Sequence, residues 1–356
     1  MTPLLARAVY SARRRTYTAS MRLVMSVALA VLASCGRPAA PSSAEQGDEP
    51  YLSCARSHLE TGRETIKLPP LVVERDGADV DVRGLERGVV MLGLIAGITE
   101  ASPENLANVA WFLGRFKDAG VQAILVPGGV GLAVKDVSGI LAALAAAPVP
   151  ILVSPGAQES YDVLSSAIED ARKRHPQILD MTRVRRVRLG SATVLSLPGY
   201  YRAFYLEAGE RGCSYGAGDL SDMVSLAEKG RTNVILAASP PRGAGDSAVD
   251  RGRGNANIGD PALAEALRKA GIRFGLYGHV FESGGHATLA DGATPVASGV
   301  WQDSLYLQAG AADAVPVSLV GGGRSVGMAH VIELSGNRAR FRSIAAHKPA
   351  APGPNP

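Results

Sequence analysis

The side chains able to do chemistry in this chain are few, and they gather on loops. Five short stretches each follow an apolar run: Ala96-Gly97-Ile98-Thr99-Glu100, Pro127-Gly128-Gly129-Val130, Pro155-Gly156-Ala157-Gln158-Glu159, Ala237-Ala238-Ser239-Pro240-Pro241 and Gly278-His279-Val280-Phe281. Within them His279, Glu100 and Glu159 offer the imidazole and carboxylates that a divalent cation accepts. Gln158 hydrogen-bonds but cannot serve as a general acid at neutral pH. Asp246, Asp250 and His286 lie on other loops and could join Glu100, Glu159 and His279 in a relocated metal site if all faced one way. Arg242, Arg251 and Arg253, in the polar loop from Pro240 to Gly259, could meet a phosphate or carboxylate, although solvated loop charge is the simpler reading. The same choice, anionic-partner patch or solvated strand face, applies to Arg183, Arg185, Arg186 and Arg188. Gly128-Gly129-Val130-Gly131 lacks the spacing of a dinucleotide loop, and no Gly-x-Ser-x-Gly elbow marks a serine hydrolase.

Alternating strands and helices must position these loops. Val89 to Ala96 reads as a buried strand, and Glu104 to Ala119 as a helix whose stripe is Leu106, Val109, Ala110, Leu113 and Phe116, stopped by Gly120. Strands at Val121 to Val126 and Val149 to Val153 alternate with helices at Val134 to Ala147 and Tyr161 to Arg174. Val184 to Leu189 and Ala192 to Leu197 form a strand pair around Gly190-Ser191, where a second sheet begins. A helix at Leu220 to Glu228, a strand at Asn233 to Ala238, a helix at Pro261 to Ala270 and a strand at Ile272 to Tyr277 follow. Ser304 to Gln308, Met328 to Leu334 and Arg338 to Ile344 are the last strands. The fold class is α/β, with two packed mixed sheets flanked by helices.

The order and spacing of the five loops resemble the calcineurin-like metallophosphoesterase superfamily, whose members carry Asp-x-His, Gly-Asp, Gly-Asn-His-(Asp/Glu), a lone His and Gly-His-x-His on successive strand ends. The resemblance covers most of residues 89 to 344 and implies a four-layer sandwich. It also implies hydrolysis of a phosphoester by hydroxide held between two divalent metals. Against that pattern this chain retains only His279. Gly97 and Thr99 stand for the Asp-x-His pair, Gly129 for the bridging Asp, Ala157 and Gln158 for Asn and His, Ala238 for the lone His and Phe281 for the last His. Gly and Ala supply no donor atom, so the expectation is a pseudoenzyme with no metal cofactor. A hydrolase with an unconventional Mn, Fe or Zn site is the alternative. A cleft lined by Ala96, Gly97, Gly129, Ala157 and Ala238 is expected to be roomier than the parent site, open to a small-molecule ligand or an envelope protein.

The N-terminus sets the expected location. Met21-Arg22 leads into the apolar run Leu23 to Leu32, which ends in Leu32-Ala33-Ser34-Cys35-Gly36, a sequence similar to the bacterial lipobox. Residues 1–34 then form a signal peptide, with Met21 as a candidate start, and Cys35 is the lipidated first residue of the mature chain. Residues 35–50 form a Pro- and Ser-containing tether, 51–348 the domain that resembles a metallophosphoesterase and 349–356 a tail that cannot bury a core. This places the protein on a bacterial membrane facing the periplasm, with Gly36 favouring the outer membrane. In that oxidising compartment Cys54 and Cys213 either form a disulfide or remain two buried thiols. Aromatic residues make up 5% of a chain of 356, and the formal charge is +4. Neither number suits a nucleic-acid surface, so none is expected.

Overall fold

The computed structural model describes residues 53–55, 62–85 and 88–346. The expected signal peptide, the lipidated Cys35, the tether and the tail at 349–356 lie outside the described residues.

The described chain opens on a meander of three strands, β1 (Arg63–Leu68), β2 (Leu71–Asp76) and β3 (Asp79–Arg83). A βαβ series follows: β4 (Val89–Leu94), α1 (Pro103–Asp118), β5 (Ala123–Pro127), α2 (Val134–Leu144), β6 (Ile151–Ser154), α3 (Tyr161–Arg172) and β7 (Ile178–Asp180). The second half runs β8 (Arg186–Leu189), β9 (Ala192–Leu197), α4 (Ala217–Ser225), β10 (Thr232–Ala237), α5 (Pro261–Ala270), β11 (Phe274–Tyr277), β12 (Ala287–Thr288) and β13 (Leu305–Gln308). A small hairpin, β14 (Val317–Ser318) with β15 (Arg324–Ser325), precedes the closing pair β16 (Met328–Ser335) and β17 (Arg338–Ala345).

Two large mixed sheets result, ordered β17-β16-β4-β5-β6-β7 and β1-β2-β3-β8-β9-β10-β11-β13-β12. Alternation along the buried strands divides the core. Leu94, Leu125, Leu152, Val234 and Leu236 point into the layer between the sheets. Ile95, Ile124, Val126, Ile151 and Val153 instead meet Val109, Phe112, Val137, Ile140 and Leu164 of α1, α2 and α3. On the other side Leu195, Ile235 and Ala237 pack beneath Leu220 and Met223 of α4 and Leu263 and Leu267 of α5. Helix, sheet, sheet, helix is the expected four-layer order.

Local chemistry fixes the helix ends. The Ser102 hydroxyl caps α1 by accepting from the Asn105 amide at 3.2 Å, ahead of Pro103. The buried face of α1 is Asn105, Val109, Phe112 and Phe116, which corrects the expected stripe by about one position. The hydrophobic pattern passes over Asn105 because it is polar, yet both the nitrogen and the oxygen of its side-chain amide are hydrogen-bonded. Its Nδ2 donates to the Glu100 carbonyl at 3.0 Å and its Oδ1 accepts from the Ala314 amide at 2.8 Å.

Three further corrections concern strands and charge. The β1 to β3 meander, absent from the sequence reading, joins the second sheet because β3 pairs with β8 in parallel. The arginines of β8 are neither a solvated face nor an anion patch. Arg186 and Arg188 pair with Asp79 and Asp81 of β3 and with Glu228. Arg185 is buried and donates to the Ser196 carbonyl at 3.1 Å.

Candidate functional site

The five loops leave the C-terminal ends of β4, β5, β6, β10 and β11 and converge, as a parallel α/β layout dictates. Their backbones are in direct contact. The Ile98 amide donates to the Gly129 carbonyl at 2.6 Å and the Gly131 amide to the Ile98 carbonyl at 2.8 Å. The Gly278 amide donates to the Ala237 carbonyl at 3.2 Å, joining the last two loops. A Cβ added to Gly129 would lie 2.4 Å from the Gly97 nitrogen, and one on Gly128 would lie 2.6 Å from the Gly156 Cα. Gly129 also sits at φ 73°, a left-handed conformation suited to glycine. The space a bridging carboxylate would need is therefore held by backbone.

Thr99 and Glu159 both have structural partners. Thr99 donates its amide at 3.0 Å and its hydroxyl at 2.6 Å to the two oxygens of Asp313. Glu159 is buried with its Oε1 accepting from the Val130 amide at 2.6 Å and its Oε2 from the Gly156 amide at 2.9 Å. Burial raises the Glu159 pKa, and those amides pull it back only in part. This carboxylate clips the second and third loops together.

Where the cleft was expected to be roomy, a side chain fills it, which corrects that expectation. Tyr200, on the segment after β9, is wholly buried and packs against Ala157 and Ala238. Its ring meets the His279 ring with centroids 4.5 Å apart. Tyr201 and Tyr205 back it at 5.5 and 5.4 Å, and Phe204 stands outside them 89% exposed. His279 is held at φ 67°, and desolvation lowers its pKa to about 4. It is therefore a neutral imidazole at pH 7. The Ser154 hydroxyl and the Gln158 Oε1 are buried at this end of the strands without a hydrogen-bond partner among the described residues, and the Tyr200 hydroxyl has only that of Ser239 beside it.

The acids and histidine considered for a relocated site do not come together. Glu100 is exposed, and Asp246 pairs with Arg251 at 2.6 Å. Asp250 is buried, accepting from the Gly259 amide at 2.9 Å and the Asn257 side chain at 2.8 Å, and so pins the loop from Pro240 to Gly259. His286 faces the Ala248 carbonyl at 3.3 Å. Among the described residues no three of His, Cys, Asp or Glu stand together as a metal-holding group. A dinuclear centre does not fit here. One imidazole remains, packed against Tyr200, and the bridging position is closed by the contact of Gly129 with Gly97.

One solved structure superposes with a TM-score of 0.53 at 12% identity, covering 72% of this chain and 99% of that chain. Two others are TT1561 of Thermus thermophilus, with TM-score 0.48 at 13% identity, and a dimetal phosphatase from Danio rerio, with TM-score 0.46 at 12% identity. Each of these also covers 72% of this chain and 99% of its own. The fold is a mixed α/β one with packed sheets flanked by helices, which it shares with the first of these structures. Identities this low speak to the fold alone, and no family model and no curated protein matches the sequence.

Two features of this site were not read from the sequence. Asp313 reaches Thr99 from far along the chain, with no local signal. The Tyr200 plug did have one. Tyr200, Tyr201, Phe204 and Tyr205 stand close together in a chain with only 5% aromatic residues. The same segment is tied down by the disulfide between Cys54 and Cys213, whose Cα atoms are 5.5 Å apart. The Tyr200 amide donates to the Cys213 carbonyl at 2.9 Å, and Ser53 and Tyr200 both bridge to Ser214. The N-terminal arm thus braces the strand that holds the plug.

Proposed function

We propose that this protein is a catalytically inactive, metallophosphoesterase-like lipoprotein whose loop face binds another protein of the bacterial envelope. The observation that carries the reading is the Tyr200 ring seated against His279, Ala157 and Ala238, because it occupies the space that metals and a phosphoester would need. The outer rim of that plug favours a protein over a small molecule. Phe204 is 89% exposed beside Tyr201, Arg202 and Tyr205, a combination of aromatic and arginine side chains typical of protein interfaces. The lipid anchor rests on the sequence around Cys35.

Elemental analysis of protein purified without chelator tests the central claim. The reading requires no stoichiometric Mn, Fe or Zn and no turnover of a generic phosphodiester. Bound metal with activity abolished by His279→Ala would instead establish the hydrolase. Precursor accumulation under globomycin tests the anchor, and normal processing of the chain under the drug would remove it.

A further inference from the structure

A second feature lies at the opposite end of the strands, where Val121 and Val149 lead into β5 and β6 rather than out of them. Between the C-terminal ends of α1 and α2 is a half-open groove of about 280 Å³, lined by Leu113, Phe116, Val121, Ala147 and Val149 among others. The lining is hydrocarbon except at Lys117, whose side chain is exposed and has no ion-pair partner among the described residues.

Gly114 forms part of the wall, inside α1, where glycine weakens a helix relative to alanine. Ordinary reasons for a helical glycine do not apply. Its φ is not left-handed, and a Cβ added there would meet nothing within 4 Å, so no neighbouring element demands the close approach. The missing side chain leaves this part of the groove wall open.

We propose that this groove is a binding site for an unbranched, medium-length alkyl carboxylate, with its chain along Leu113, Phe116 and Val149 and its head at the Lys117 ammonium. The chain gains the burial that water denies it. The carboxylate stays at the rim, where the isolated lysine is the cation within reach. The site is independent of the loop face, so its success or failure leaves the reading of that face untouched.

Calorimetric titration of the protein with decanoate, below its micelle concentration, tests the site against decanol as a neutral chain. Saturable one-to-one uptake of decanoate is expected. Gly114→Phe fills the groove without a clash at Cβ, and it should weaken binding by about tenfold or more while leaving the melting temperature unchanged or higher. Ala146→Phe, on the facing wall, is a second filling variant and should act alike. Lys117→Gln should weaken decanoate roughly two- to fivefold and leave decanol unaffected. No saturable uptake by the parent protein, or undiminished uptake by both folded filling variants, overturns the site. Decanol bound as tightly as decanoate, with no effect of Lys117→Gln, overturns the carboxylate.

Discussion

The rings of Tyr200 and His279 meet with centroids 4.5 Å apart and planes inclined by 60°. The one histidine of the five loops thus serves as one wall of an aromatic cluster. Its low pKa has the same origin, since the neighbours that pack around the ring displace the water that would solvate an imidazolium.

Truncating the plug should expose its structural weight. Tyr200→Ala is expected to cost about 3 to 5 kcal/mol, the usual range for deleting a buried aromatic ring. Tyr200→Phe should be close to neutral, because the buried hydroxyl it removes has no hydrogen bond of good geometry and only the Ser239 hydroxyl beside it. Urea unfolding of both variants checks the pair, and a large loss on going to Phe would show that the hydroxyl has a partner in solution.

Restoring the bridging carboxylate should fail. In Gly129→Asp the new Cβ would meet the Gly97 nitrogen at 2.4 Å, and a non-glycine residue would occupy φ 73°. Loss of at least about 2 kcal/mol with no gain in Mn or Zn binding is expected. Tight metal binding by a well-folded Gly129→Asp protein would mean that the loops separate readily.

Acid should destabilise the fold through its histidines. His330 is wholly buried, with its ring nitrogens facing the Ser343 hydroxyl and the Ala309 carbonyl at 3.0 Å each, and its pKa falls to about 4. The unfolded imidazole titrates near 6.5, so below that pH the unfolded state binds the proton first. Stability is full above about pH 6.5 and declines toward pH 4, by up to about 3 kcal/mol for His330. The raised pKa of Glu159 has the opposite sign and softens the slope. In His330→Gln the stability lost between pH 6.5 and 4 should shrink. An unchanged slope would remove His330 as the cause.

Removing the disulfide should loosen the plug before the rest of the molecule. Cys54 and Cys213 are 159 residues apart, and closing so long a loop is worth about 4 to 5 kcal/mol on the chain-entropy account. The double Cys→Ser variant is expected to lose stability on that scale. Amide exchange should rise first at Tyr200 and Tyr215, which bond to the braced strand. Uniform acceleration across all strands would argue against local bracing.

Much of this molecule is written in its order of residues. Apolar runs of period two and stripes near period 3.6 located β4 to β6, α1 to α3 and α5, because those elements bury continuous or one-sided apolar surface. The identity of the loop residues settled that Gly97, Gly129, Ala157 and Ala238 bring no side-chain donor to the loops, a fact no folding can reverse. The β1 to β3 meander was not legible, since its alternation is diluted by charges whose partners, such as Arg186 for Asp79, come from another strand. Nor was the fate of the cleft. Glycine and alanine at Gly97, Gly129, Ala157 and Ala238 are equally consistent with an empty pocket and with a closed one. Only the tertiary structure decided between them, by bringing Gly129 onto Gly97 and laying Tyr200 over Ala157 and Ala238. A small residue records what is absent at its own position, whereas the atoms that take the space come from parts of the chain that adjoin it only after folding.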